Sequence, residues 1–245
     1  MTRMWLGLAL AAALAASGPI AAQSDADALT KLEQAAAAMP DDLRAGNDYR
    51  MAVIQAAARA TPASRLAPYD HALAFFQKLV TAHAKSANAH LNYGFAYVDK
   101  IPDAGSITQV ILANNALGEF TKSLQLRPSW IGYYTRGNSY LFWPRIFNRT
   151  HLGVADLEAA LKLQRADRKR SYHVRVFVAL GDGYWKMDDT AKANAIWKEG
   201  LAEFPDNAGL KARLSKQGDE VKAIFDTVYD PAKRVDTSLK DLWTE

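Results

Sequence analysis

One stretch of 32 residues constrains the fold more than any other part of the chain. It begins at Val174 and reads VRVFVALGDGYWKMDDTAKANAIWKEGLAEFP. Counted from Val174 as position 1, glycine stands at position 8, tyrosine at 11, alanine at 20, tryptophan at 24 and proline at 32. This spacing predicts two antiparallel helices, because small residues allow the helices to cross closely and large residues fill the space between them. The proline ends the second helix, since it cannot continue the hydrogen-bond ladder.

The same register occurs twice more. Counting from Ala87 places glycine at position 8 and tyrosine at 11, and counting from Trp130 does the same. The second halves of both repeats follow after insertions, and two earlier segments, 28–40 and 72–79, keep only the pattern of the second helix. A single helix pair of this kind buries too little apolar surface, so neighbouring pairs must stack. The chain is therefore predicted to be an all-α array.

The pattern resembles that of the tetratricopeptide repeat family over roughly residues 26–207, most strongly at 174–207. The resemblance implies an all-α, right-handed superhelical solenoid of antiparallel helix pairs, with about three full repeats and degenerate terminal helices. The predicted divisions are a signal peptide at 1–22, degenerate repeat helices at 23–86, three repeats with inserted turns at 87–207, and capping helices and a tail at 208–245. Two short helices are expected on either side of Gly218, and the tail is expected to pack back through Leu239, Leu242 and Trp243.

The N-terminal residues have the composition of a secretory signal. An apolar run from Met4 to Ala16 is too short to span a bilayer, and small residues follow it. Cleavage is expected after Ala22; the alternative is a retained membrane anchor. The chain has no cysteine, which excludes a lipidated N-terminal cysteine, disulfides and a thiolate nucleophile. A periplasmic or secreted bacterial protein is therefore expected.

Two repeats carry insertions at their inter-helix turns. The first insertion, DKIPDAGSITQVILANN, predicts that Ser106 caps a long second helix from about Ile107 to Leu126. The second, FWPRIFNRTH, is rich in aromatic side chains. If its aromatic residues are exposed together, the composition is that of an interaction hot spot; if they pack against the first insertion, they belong to the core. Both interpretations stay open at this point.

No catalytic constellation is recognisable. The sequence has no glycine-rich phosphate loop, no His-Glu-x-x-His and no Gly-x-Ser-x-Gly, and its five histidines lack metal-ligand spacing. The formal charge of +4 is too mild to favour nucleic acid. We therefore expect a protein that is not an enzyme, has no cofactor or metal, and binds another envelope protein or a peptide.

In the family that this chain resembles, ligands lie in a concave groove lined by positions 2, 5, 9, 12 and 13 of the first helices. Family members that clamp acidic C-terminal peptides use lysine at 5 and asparagine at 9, where this chain has Leu91 and Phe95, which argues against that function. The alternative is that several groove aromatics pack on terminal helices instead. The mapped groove residues are Asn88, Leu91, Phe95, Val98, Asp99, Ile131, Tyr134, Asn138, Leu141, Phe142, Arg175, Val178, Asp182, Trp185 and Lys186, and the aromatic insertion adds Trp143, Arg145 and Phe147 as candidate partner-binding residues.

Two functions follow from these features. The first is a non-catalytic scaffold for protein–protein interaction or assembly in the bacterial envelope. The second is a module that binds a small solute, loosely resembling the repeat-containing partner of periplasmic uptake systems, although the lipid-anchor cysteine of those proteins is missing. A closed apolar cavity would favour the solute, and an open groove would favour a peptide or protein.

Overall fold

The computed structural model describes residues 18–244, with side chains from residue 26 onward. This part of the chain contains helices and turns and no strand. The helices are α1 (Gly18–Ala38), α2 (Leu43–Arg59), α3 (Ala67–Ala82), α4 (Ala87–Lys100), α5 (Ser106–Leu126), α6 (Trp130–Leu141), α7 (Thr150–Arg165), α8 (Val174–Lys186), α9 (Thr190–Glu203), α10 (Ala208–Leu214) and α11 (Asp219–Val228). Short 3-10 turns lie at Ile101–Asp103, Arg145–Phe147, Ser171–His173 and Lys240–Leu242.

Most of the predicted signal peptide lies outside the described residues, so export stays a prediction. Of the helices described, none has the length and apolarity needed to cross a membrane.

The first helices of the three full repeats begin where the register starts, at Ala87, Trp130 and Val174. Two of these starts are fixed by serine caps, because the hydroxyl oxygens of Ser86 and Ser129 accept hydrogen bonds from backbone N–H groups in the first turn. The prediction that Ser106 caps α5 is wrong. Gly105, with extended backbone, is the N-cap residue and has no side chain to accept a bond, so Ser106 becomes the first residue of the helix.

Glycine at position 8 permits a close crossing in each repeat. A Cβ atom on Gly94 would lie 2.3 Å from the Phe120 ring, and one on Gly181 would lie 2.1 Å from Trp197 Nε1. Gly137 faces the backbone oxygen of Gly153, which a Cβ would approach to 3.0 Å. Each glycine at position 8 thus faces position 20 or 24 of its own second helix, as the spacing predicts.

The C-terminal helices fold back over the last repeat. Gly218, with a φ of +51°, separates α10 from α11, and this left-handed conformation favours glycine. Phe225 of α11 packs edge-on against Trp185 of α8, with ring centroids 4.5 Å apart, and Tyr229 packs in the same way against Phe142 at 5.2 Å. α11 therefore covers the open side of the third repeat, and the residues after it are directed back toward the N-terminal helices.

Candidate binding groove and cavity

The first helices α4, α6 and α8 line the concave face of the array, which we call the groove. Between the groove, α5, α11 and the chain that follows α11 lies a cavity of about 1230 Å³. Residues after α11, from Asp230 to Leu242, form part of its wall. The chain that follows α11 therefore covers part of the concave face.

We call residues 230–244 the tail. It crosses the groove as an irregular segment and is anchored first at Thr237. The Thr237 hydroxyl donates to Asp99 Oδ1 at 2.5 Å, and the Thr237 carbonyl accepts from Arg50 Nη2 at 3.0 Å. Arg50 and Asp99 form an ion pair of 2.7 Å, and all three side chains are buried. Because a buried charge is tolerated only when it is paired and hydrogen-bonded, Thr237 completes a polar site that joins α2 to α4.

Further anchors lie on either side of Thr237. Arg234 donates to Asp103 at 2.5 Å and to the backbone oxygen of Asp99 at 2.8 Å. Leu239 packs against the buried cluster that contains Phe95, as the predicted return of the tail requires. Asp241 forms an ion pair with Arg175 at the start of α8. The tail thus contacts α2, α4 and α8, and Leu239 packs against the same buried cluster as Ile131 of α6.

Most of the candidate partner-binding residues line the cavity. These are Phe95, Tyr134, Asn138, Phe142, Trp143, Arg145, Phe147, Arg175 and Trp185. The structure places the other four elsewhere: the Asn88 side chain donates to the Asp41 carbonyl, Leu91 is fully buried in the core, Asp99 lies beneath the tail, and Asp182 is buried in an ion pair.

Asp182 occupies groove position 9 of the third repeat but has no exposed surface. Its carboxylate accepts two hydrogen bonds from Arg213, at 2.5 and 2.7 Å, and a third from the Tyr229 hydroxyl at 2.8 Å. Arg213 lies on α10 and Tyr229 directly follows α11, so the C-terminal helices bury Asp182 and connect α8 to α10 and α11 through its carboxylate. The repeat pattern does not predict the burial of Asp182, because Arg213 and Tyr229 lie outside the repeats.

Lys186 is the last residue of α8 and lies in the cavity wall, where it is half-buried. Its ammonium donates to the Leu141 carbonyl and lies 4.3 Å from the centroid of the Tyr229 ring. Burial lowers the pKa of Lys186 to about 8, and the nearby Arg145 lowers it as well. Burial also raises the pKa of the Tyr229 hydroxyl well above its ordinary value. The cavity therefore contains a cation whose charge is poorly solvated.

The aromatic insertion is divided between core and surface. Trp143 is 7% exposed, and the Arg149 guanidinium lies 3.8 Å from its ring centroid. Phe147 packs edge-on against Trp143 but is 50% exposed, and Ile146 beside it is 87% exposed. Arg149 also donates to Asn114 of α5 at 2.9 Å, so the two insertions lie side by side. Each of the two interpretations given by the sequence thus applies to part of the segment.

Three residues that anchor the tail were not predicted from the sequence: Arg50, Arg234 and Thr237. Arg50 lies in a degenerate segment where the repeat pattern is weak, and neither Arg234 nor Thr237 belongs to any motif. Within residues 26–244, moreover, no group of three or more His, Asp or Glu side chains is placed to hold a metal ion.

Comparison with known proteins gives the fold. No protein-family model and no curated protein matches the chain. A solved structure does match: a thermophilic TPR protein from Thermus thermophilus, with 20% sequence identity, 80% of this chain and 91% of that chain covered, and a TM-score of 0.53. The chain folds as a TPR-like all-α solenoid of antiparallel helix pairs, which confirms the predicted fold class.

Proposed function

We propose that this protein is a non-catalytic interaction scaffold that holds a short peptide segment of another protein in its groove. TPR-like folds commonly serve as protein-interaction scaffolds. The observation that carries the proposal is the position of the tail: the groove already accommodates a peptide segment that is irregular apart from the 3-10 turn at Lys240–Leu242 and that contacts α2, α4 and α8. A partner segment would take the place of the tail.

The contacts of the tail suggest what such a segment needs. Thr237 offers a hydroxyl donor and a carbonyl acceptor to the Arg50–Asp99 pair. Leu239 supplies an apolar side chain, and Asp241 supplies a carboxylate to Arg175. A partner segment with a hydroxyl, an apolar and an acidic side chain at the spacing of 237, 239 and 241, and with a turn that begins at the apolar residue, would reproduce these contacts.

The proposal can be tested with a chain that ends at Tyr229 and a fluorescent peptide of residues 230–245. The peptide should bind saturably to the truncated chain and much more weakly to the full chain, because the attached tail has a high effective concentration. A Thr237→Val peptide should bind about tenfold or more weakly, since it lacks a hydrogen bond to a charged group. Fluorescence anisotropy measures all three affinities, and circular dichroism of the truncated chain verifies that its helices are retained.

A scrambled peptide of the same composition is the control. If the native peptide binds no better than the scrambled one, the groove does not recognise the sequence of the tail and the proposal fails. Proteins captured from envelope extract by the truncated chain should then be released by the native peptide and not by its Thr237→Val variant.

We also propose that the scaffold acts in the bacterial envelope. The signal-like composition of residues 1–22 supports this location. Mass spectrometry of the protein from a periplasmic or secreted fraction should find a mature N-terminus near Gln23. An intact N-terminus in the cytoplasm would contradict it.

A further inference from the structure

We propose that the cavity binds a small amphipathic anion, whose charged group pairs with Lys186 and whose apolar body lies among the aromatic side chains of the wall. The tail forms part of the wall of the same cavity, but the proposed ligand group pairs with Lys186 and not with the groups that hold Thr237, and the test uses the full chain with its tail in place. Binding of the anion therefore does not depend on the peptide-binding proposal, and either can hold without the other.

The first argument is that Lys186 lacks a counter-ion. Among the described residues, no carboxylate lies within 4.0 Å of its ammonium, whose contacts are the Leu141 carbonyl and the face of the Tyr229 ring. A half-buried cation without a paired anion is unfavourable, because it has lost part of its hydration and gained little in return. An anionic ligand group would supply the missing partner.

The carboxylates near Lys186 are not available to pair with its ammonium. Asp182 of α8 is bound by Arg213, and Asp226 of α11 pairs with Lys222 at 2.6 Å. Arg145, from the aromatic insertion, adds a second cation. It pairs with the exposed Asp188 at 2.7 Å and donates to the backbone oxygen of Lys186. Asp182, Asp226 and Asp188 are therefore each paired with another cation, and Lys186 is left without a carboxylate partner among the described residues.

The second argument is the shape and chemistry of the wall. Apolar and aromatic side chains from α8, α11 and the residue after α6 line the same cavity as Lys186, among them Phe142, Val178, Trp185 and Phe225. Small-molecule sites are typically concave, mostly apolar and about 300–1,000 Å³ in volume, with a few polar groups that orient the ligand. A cavity of about 1230 Å³ with one such cation is large enough for an aliphatic or aromatic acid.

The protonation of Lys186 makes the affinity for an anionic ligand depend on pH. Burial lowers the pKa of its ammonium to about 8, while Asp182 and Asp226 raise it and Arg145 lowers it. The Tyr229 hydroxyl, which accompanies it in the wall, stays protonated because burial raises its pKa well above 10. A bound anion would stabilise the protonated amine, so affinity for an acid should fall as the pH rises from 7 to 9.5.

The experiment uses the full chain and two pairs of probes that differ only in charge. Decanoate is compared with 1-decanol, and 2-naphthylacetate with 2-naphthylethanol, each by isothermal titration calorimetry at pH 7. At least one acid should bind, and about tenfold or more tightly than its alcohol, as expected for a hydrogen bond to a charged group. Raising the pH to 9.5 should weaken the acid and leave the alcohol unchanged.

Three variants assign the binding to the cavity. Lys186→Met should remove the preference for the acid and leave the alcohol unaffected. Lys192→Met is the matched control, because Lys192 is an exposed lysine on α9 outside the cavity wall, and it should bind like the parent chain. Val178→Trp should fill part of the cavity and weaken acid and alcohol alike. Circular dichroism verifies that each variant keeps its helices.

Either of two results would overturn the proposal. One is that neither acid binds the parent chain at millimolar concentration, or that each binds no better than its alcohol. The other is that Lys186→Met binds the acid as tightly as Lys192→Met does, which would place the anion elsewhere. Failure of the tail peptide to bind the truncated chain has no bearing on these outcomes.

Discussion

Replacing Gly181 by alanine tests the close crossing of α8 and α9 with a single methyl group. A Cβ at this position would lie 2.1 Å from Trp197 Nε1 and 2.3 Å from Cδ1 of the same ring. Trp197 is 1% exposed and packs against Phe225, so the indole cannot move aside without disturbing the core. Gly118 of α5 is the matched control, because a Cβ there meets nothing within 4 Å.

Two opposing contributions determine how each substitution changes the free energy of unfolding. Alanine in a helix interior is more favourable than glycine by about 0.8–1 kcal/mol, and this gain applies to both variants. Overpacking a rigid core costs about 1–3 kcal/mol or more, and this loss applies only to Gly181→Ala. Gly118→Ala should therefore raise the free energy of unfolding by about 0.8–1 kcal/mol, whereas Gly181→Ala should lower it by up to about 2 kcal/mol.

Urea unfolding followed by circular dichroism measures both free energies. In thermal melts the difference between the variants should amount to several degrees, since about 1 kcal/mol shifts the midpoint by about 2–4 °C in a domain of this size. If Gly181→Ala proves as stable as Gly118→Ala, position 8 is not a close-packed contact and the assignment of the repeat register is wrong.

Three further perturbations follow from the contacts around the cavity. Lys186 has a pKa lowered to about 8, so the unfolded chain binds more protons than the folded chain between pH 8 and 10.5. The free energy of unfolding of the parent chain, compared with that of Lys186→Met, should therefore rise with pH across that window, and urea titrations measure both. Asp182→Ala leaves Arg213 buried without its partner and should cost about 3–5 kcal/mol of unfolding free energy; a loss under about 1 kcal/mol would mean that the ion pair is not structural. Trp143→Ala should cost about 3 kcal/mol, as for a buried aromatic, while Phe147→Ala should change the melting temperature little; equal effects would contradict the division of the insertion between core and surface.

The repeats were predictable from sequence because their determinants are local. Gly94 meets Phe120, and Gly181 meets Trp197, within one helix pair, so a spacing along the chain becomes a contact in space. The same local rule identified the starts of α4, α6 and α8. Any sequence with small and large residues at these intervals can satisfy it without reference to the rest of the molecule.

The site was less predictable because its determinants are distant in sequence. Thr237 and Asp99 are 138 residues apart, and the side chain of Arg213 reaches Asp182 from outside the repeats. The groove positions assigned by resemblance assume an open concave face, whereas α11 and the tail cover part of it. Which groove residues become internal depends on that cover, and the repeat register contains no information about it.

The anchored tail also alters how the array is expected to fold. In an open solenoid each repeat contacts only its neighbours, so the ends can unfold independently of the middle. Here the bond between Arg50 and Thr237 spans 187 residues and connects the last segment of the chain to one of the first helices. Such a closure raises contact order, which slows folding and makes distant repeats unfold together. During synthesis, the polar site between α2 and α4 therefore stays incomplete until Thr237 has left the ribosome.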